Sequence, residues 1–261
     1  MHADTLPTFE TLALQADAAT AWLALNRPQS LNALSPKMMR EIIAAAQWLS
    51  AQPHLRVVHL SGNGRAFCAG VDLQAVGSSR SSLERADTDL GRQMIEAWLA
   101  IPAITMAAVQ SHCVGGGLLL AAACDLRIAA DDARFSLPEM ALGIPLTWGG
   151  VPLLLRLLGP AVAMELVLDA QPFDAVTALQ WRFVNRVVLP PQLDPASRDW
   201  VMRLAQRPLN ALRTTKRRFQ GAVDALCTLR GSEADADDLL AAYQDPETQA
   251  VRRLYLAARQ R

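Results

Sequence analysis

The chain has 261 residues, 51% of them hydrophobic and 5% aromatic, enough apolar material to bury the core of one large domain or two small ones. Its 25 Lys and Arg balance its 25 Asp and Glu, so no global field draws it to nucleic acid or anionic lipid. Cys68, Cys113, Cys124 and Cys227 show no C-x-x-C spacing and read as small core residues of a reducing compartment, and the opening MHADTLPTFE has acids and no apolar run, so the expected location is the cytoplasm.

In chain order, Thr8 to Gln15 and Thr20 to Leu25 carry β-type residues around Asp17-Ala18-Ala19 and read as a hairpin. Leu25 to Ser35 is a loop held by Pro28 and closed by a helix start, with Ser35 as N-cap and Pro36 at the first helical position. Met39, Ile42, Ile43, Ala46 and Leu49 keep one apolar face through that helix. Arg56 to Leu60 is a short buried strand ending in the turn Ser61-Gly62-Asn63-Gly64. In Arg65 to Leu73, Gly70 permits a backbone conformation other residues resist, and Asp72 is placed to cap a short helix. Ser78 to Glu84 is polar and reads as a mobile loop. Leu90 to Leu99 is an amphipathic helix stopped by Pro102.

The stretch from Ile101 to Asp125 organises the rest. An apolar run, Ala103 to Val109, suits a buried strand; it breaks at Gln110, Ser111 and His112, passes through Gly115, Gly116 and Gly117, and continues as a buried helix from Leu118 to Cys124. A strand turning through glycines into a helix leaves backbone N–H groups without helical partners. With the positive end of the helix dipole, they form a site for an oxygen carrying negative charge. The same glycines also serve tight helix–sheet packing, and the segment alone does not separate the two readings. Leu126 to Ala129 follows as a strand, Arg134 to Glu139 brings a carboxylate just past a proline, and Gly143 to Gly150 leads into a helix from Val151 to Leu158. From Pro160 helical patterns dominate: Ala161 to Leu168, Asp174 to Trp181, Leu193 to Gln206, Leu209 to Val223, and Ser232 to the end, with Val184 to Leu189 the one strand-like exception. Strands alternating with helices and then a helical tail predict an α/β core over 1–190 and a C-terminal helical region over 191–261.

Several segments, in order and at similar spacing, resemble the crotonase (enoyl-CoA hydratase/isomerase) superfamily: N-R-P-Q-S-L-N-A-L-S at Asn26 to Ser35, A-F-C-A-G-V-D-L at Ala66 to Leu73, G-G-G at Gly115 to Gly117 with C-D-L-R-I-A at Cys124 to Ala129, F-S-L-P-E-M-A-L-G-I at Phe135 to Ile144, and A-M-E-L-V-L at Ala163 to Leu168. The resemblance spans Leu25 to about Leu189. It implies the ClpP/crotonase spiral of ββα units with a C-terminal helical trimerisation region, in trimers or dimers of trimers. It also implies an acyl-CoA ligand whose thioester carbonyl lies between two backbone N–H groups, and no cofactor beyond the coenzyme A of the substrate. By position those donors are Val71 and Gly116, which agrees with a glycine-opened turn and a helix N-terminus. Each such donor stabilises an enolate over its thioester parent by about 3 kcal/mol in comparable sites. By the same resemblance the backbone of Arg65 to Leu73, including Ala66, Ala69, Gly70, Asp72 and Leu73, holds the adenine and pantetheine, and Arg27 lies near the phosphates. Gln29 stands where many relatives have lysine, so one phosphate contact is missing.

Hydratases of the family use two glutamates. Here the P-E position is Glu139, but the position after the glycine run is Leu119, which can neither orient water nor carry a proton. One carboxylate beside an oxyanion hole suffices for a 1,3-proton shift of an enoyl-CoA, and burial would raise its pKa and ease proton return. The reading is an acyl-CoA enzyme with Glu139 as single acid/base, leaning to isomerisation. Hydration proper and an inactive acyl-CoA-binding protein stay open. Trp148 and Thr147 are expected to shape the acyl pocket, with walls also drawn from Val76 to Glu84. His112 reads as a packing residue, His54 and His59 have no evident partner, and Arg213, Lys216, Arg217 and Arg218 form a solvated helix face or meet CoA phosphates. No Walker-type loop, complete dinucleotide fingerprint or metal-ligand spacing occurs, and neither nucleic acid nor membrane is an expected partner.

Overall fold

The computed structural model describes residues 5–72, 85–227 and 232–258. A six-stranded sheet carries the core. Its strands are β1 (Leu12–Ala16), β2 (Thr20–Leu25), β3 (Val57–Gly62), β4 (Ile104–Val109), β6 (Leu126–Ala130) and β9 (Arg186–Val188), in the order β1-β2-β3-β4-β6-β9. Only the hairpin β1–β2 is antiparallel; the remaining pairs are parallel. Asp17 makes the hairpin turn by accepting hydrogen bonds from the Ala19 and Thr20 N–H groups at 2.7 Å each.

The central strands are apolar on both faces because both faces are covered. Val58, Leu60, Ala107 and Val109 point toward α1 (Pro36–Ala51) and α2 (Arg85–Leu99). Val57 and Met106 meet Val201 on the opposite face, under α6 (Leu193–Ala205). Ser35 accepts from the Met38 N–H at 3.2 Å, with Pro36 just inside, so the cap read from sequence is the cap used. Where the described residues resume at Arg85 the chain is already helical, ahead of the expected Leu90, and Asp89 pairs with Arg92 one turn on and Arg85 with Asp237.

A second, smaller sheet joins β5 (His112–Val114), β7 (Arg134–Ser136) and β8 (Phe173–Asp174). It is what the polar break at Gln110 to His112 becomes. Ser111 takes φ 48 and throws the chain out of the large sheet into the small one. From β5 the chain enters α3 (Gly116–Ala122). The long helix α4 (Gly150–Asp169) joins the two helices expected separately, and their boundary survives as an extended break at Gly159 (φ 73, ψ 170) before Pro160. α4 is the one described helix long and apolar enough to cross a membrane by length and composition.

Beyond α5 (Ala175–Gln180), α7 (Leu209–Leu226) lies against β4, α8 (Asp235–Gln244) packs on α2, and α9 (Pro246–Ala258) packs on the turn Met140–Leu142. The basic run on α7 is not a uniformly solvated face. Lys216 is buried, donating to Asp125 Oδ2 at 2.7 Å and to the Ala103 carbonyl at 2.8 Å. Arg213 reaches the Gln52 and Leu55 carbonyls, and only Arg217 and Arg218 of the four are exposed. The reason is geometric: Arg213 and Lys216, three residues apart, share the inner face of the helix, and the next two positions rotate round to water. Asp125 also accepts from the Thr105 N–H and hydroxyl, so α7, β4 and the end of α3 share one carboxylate. Lys216→Ala leaves that carboxylate without its cation and is expected to destabilise the fold by about 3 kcal/mol, whereas Arg217→Ala should change stability by less than about 0.5 kcal/mol. Urea unfolding of the two variants checks this.

Candidate active site

Three segments lie side by side at the C-terminal end of the parallel strands. Residues 67–72 run between 31–34 and 110–114. On one side the Ala69 N–H donates to Leu31 O, the Leu34 N–H to Gly70 O at 2.7 Å, and the Asp72 N–H to Leu34 O at 3.0 Å. On the other side the Cys68 N–H donates to His112 O and the Val114 N–H to Cys68 O, both at 3.0 Å. Because Gly70 O and Asp72 N both face Leu34, the N–H of Val71 between them faces the opposite way, toward the chain leaving β5. Cys68 pairs with Cys113, and just beyond that bridge Gly117 of the helix start packs on the Cys68 side chain, which keeps the two segments close as the chain turns into α3. Gly70, at φ 88, lies so close to β5 that a methyl group there would meet Val114 O at 3.0 Å.

Gly116 is the first residue of α3, where no intrahelical acceptor exists for its N–H. Among the described residues neither the Val71 nor the Gly116 N–H has a backbone acceptor. Gly115 caps the helix at φ 52, ψ −122, and a methyl group on it would stand 2.8 Å from Glu139 Oε1. Glu139 thus reaches this glycine step from the end of the Ser136-Leu137-Pro138 segment. Its Oε2 is enclosed and has no hydrogen-bond partner among the described residues. Burial pushes the carboxyl pKa from 4.5 up to about 7, with its own backbone N–H pulling weakly the other way. A carboxyl poised near neutrality is chemically suited to both taking and giving a proton.

Trp148 covers the same step. Its ring edge lies where a side chain on Gly116 would project, 2.9 Å from that position at Cη2, with Leu34 Cδ1 at 3.1 Å. It is 8% exposed and takes φ 62, a left-handed conformation that costs a bulky residue about 1–2 kcal/mol. The next residue is pinned from far away: the Gly149 N–H donates to Asp235 Oδ2, at the start of α8, at 2.8 Å. Burial raises the Asp235 pKa, opposed by this same hydrogen bond. Leu119, one turn along α3 from the glycines, is 2% exposed. Its Cδ2 would meet a methyl group on Gly150 at 3.1 Å, beside Leu146. That position is apolar and filled.

The remaining expected contacts are dispersed or engaged. Arg27 Nη1 donates to Asp72 Oδ2 at 2.9 Å and to Ala33 O, so its charge is already spent on the loop. Asp72 is therefore an ion-pair partner of Arg27; the short helix it was expected to cap, with Leu73, the Ser78 to Glu84 loop and the Val76 to Glu84 walls, lies outside the described residues. Ala66 is buried and offers its carbonyl to Asn32, while Ala69 is half-buried. His112 is exposed rather than a packing residue, because β5 turns it outward. His59 does have partners: Ser197 Oγ at 3.1 Å and the Trp22 ring, with burial lowering its pKa to about 4.

Two residues that hold the site escaped the sequence reading. Asn32, fully buried, accepts from the Arg27 N–H and donates to the Asn63 and Ala66 carbonyls, tying the first loop to the segment under Val71. Its place inside the N-A-L-S segment was the available signal. Asp235 had none, being distant in sequence from Gly149.

With this geometry established, comparison places the chain among known proteins. A family model described as enoyl-CoA hydratase/isomerase matches residues 15–260, further at both ends than the motif segments. The chain belongs to this family and has the crotonase fold. Among its relatives, "Probable enoyl-CoA hydratase echA8" of Mycobacterium tuberculosis is 34% identical over 221 residues, covering 84% of each chain. The "Crotonyl-CoA hydratase" of Syntrophomonas wolfei is 32% identical over 239 residues, covering 91% of this chain and 92% of that one. The crystal structure of an enoyl-CoA hydratase/isomerase from Xanthobacter autotrophicus Py2 superposes with TM-score 0.87 at 28% identity, covering 97% and 98%. The protein is an enzyme of enoyl-CoA hydratase/isomerase type.

The buried carboxyl sets a pH dependence of stability. Because the folded pKa is raised, the unfolded chain releases its proton first. Stability therefore falls as pH rises from about 4.5 to about 7 and levels off above. Glu139→Gln lacks this loss. The difference in unfolding free energy between variant and wild type should shift toward the variant by about 3 kcal/mol across that window, read by urea titrations at several pH values.

Proposed function

We propose that the protein isomerises enoyl-CoA esters through a thioester enolate, with Glu139 as its single acid/base and the N–H groups of Val71 and Gly116 as the oxyanion hole. The observation that carries this is the enclosed, unpartnered Oε2 of Glu139 beside the glycine step of α3. With the thioester oxygen on the two N–H groups, the ionised carboxylate takes a proton from C2 of a 3-enoyl-CoA. The C2–H electron pair moves into the enolate, whose negative oxygen the two donors and the helix end stabilise. The same proton returns at C4, the 3,4 double bond moves to 2,3, and carboxylate and thioester are restored. No water is consumed, which suits a position 119 filled by leucine rather than a second carboxylate.

A second reading, hydration of 2-enoyl-CoA, is favoured by the names of relatives at 34% and 32% identity. There Glu139 alone would activate water. We also propose a homotrimer or dimer of trimers. The support is the large apolar side chains left in water on a lone chain, among them Met164, Leu168 and Phe219 at 60%, 56% and 69% exposure. Light scattering of the purified protein gives the assembly directly.

Offered 3-enoyl-CoA and 2-enoyl-CoA, the wild type should convert the former without adding water, and Glu139→Gln should lose about 10²–10⁴-fold in kcat. Since the base must be ionised, kcat/KM should rise with pH through the free-enzyme value of about 7. Water addition as the faster reaction favours the hydratase. Binding of CoA esters with no turnover of either leaves a binding protein.

A further inference from the structure

Trp148 is seated between two helices that each omit a side chain to receive it. On α3 that residue is Gly116; on α2 it is Gly91, where any added carbon would overlap the indole ring. Leu34 closes the same space from the end of the first loop. Glu139 and Trp148 therefore touch neighbouring residues, Gly115 and Gly116, at the peptide whose N–H is offered to the thioester. On the thioester pose proposed above, the α-carbon lies beside the Glu139 carboxylate, and an acyl chain continuing past Gly116 meets the indole. The ring cannot swing aside freely: its backbone is held left-handed at φ 62, and Asp235 clasps the next residue from α8.

We infer that Trp148 is the wall that ends the acyl channel and restricts this protein to short acyl chains. This rests on the acyl-CoA reading above and names the substrate class within it. The space a longer chain would need is occupied by an indole that Gly91 makes room for, and a hydrophobic site discriminates by about tenfold to a few hundredfold per misplaced methylene-sized group. Discrimination against several extra methylenes is therefore steep.

The test measures kcat/KM for butenoyl-CoA and decenoyl-CoA, each as the 2- and the 3-enoyl ester, and binding of butyryl-CoA and decanoyl-CoA by calorimetry. Wild type should prefer the four-carbon esters by at least about 100-fold. Trp148→Gly, which also relieves the left-handed backbone, should narrow that ratio to below about tenfold by raising the decenoyl value. Trp148→Leu, which retains more of the packing, should narrow it partway. Equal use of both lengths by wild type overturns the inference. So does an unchanged ratio in a Trp148→Gly or Trp148→Leu protein whose circular dichroism matches wild type. The two readings fail separately. If no ester is turned over but butyryl-CoA binds at least about tenfold tighter than decanoyl-CoA, the wall stands and the catalytic reading falls; turnover indifferent to length does the reverse.

Discussion

The constraint beneath everything else is the close approach of the 67–72 segment to β5. Two backbones can share hydrogen bonds and then part, leaving N–H groups without backbone acceptors, only if nothing bulky stands where they part. Gly70 and Gly116 meet that condition, one against the Val114 carbonyl and the other under the Trp148 ring. The ladder through Cys68, His112 and Val114 fixes the relative height of the two segments. Asn32 fixes the third segment to the same platform through the Asn63 and Ala66 carbonyls. The proposed donors are thus held by paired backbone rather than by side-chain rotamers, and would lose little order on accepting an oxygen.

Placing a carboxyl on that platform opposes stability. Burying Glu139 with an unsatisfied oxygen disfavours its ionised form. Other buried charges are paired. Lys216 has Asp125 and a carbonyl, and buried Arg127 donates to the Phe183, Ala121, Ala122 and Cys124 carbonyls. Among the described residues Glu139 carries the one carboxylate oxygen enclosed without a partner. The left-handed Trp148 beside it is a second local departure from what the sequence would choose. Such departures gather where a site needs them.

How much could be read beforehand depended on whether chemistry demanded a residue type. The glycines at 70 and 115–117, the P-E carboxylate and the Ser35-Pro36 helix start were legible because few residues do those jobs. The hairpin and the parallel strands were legible because their apolar runs are long enough to show a period. β5 and β7 were not, since each has three residues and no period can be seen in three. Lys216, Asp235 and Gly91 were illegible for another reason. Each has an ordinary local reading, and its partner lies far along the chain or on another element. His59 shows the same limit, its partner Ser197 lying on α6.

Those long-range contacts join the helical tail to the site. α9 packs on the turn that follows Glu139, where Thr248 Oγ1 donates to the Gly143 carbonyl at 2.8 Å. α8 packs on α2 and clasps Gly149. The segment from Glu139 to Gly150 crosses the site with little regular structure of its own, between α3 beneath and the tail above. The segment is therefore held from opposite ends, at Gly143 by Thr248 and at Gly149 by Asp235. On the proposed mechanism, whatever moves α8 and α9 would move the carboxylate and the indole together, tying proton transfer and the room left for the acyl group to one packing interface. The proposed oxyanion donors sit on the paired backbone below and would not share that dependence.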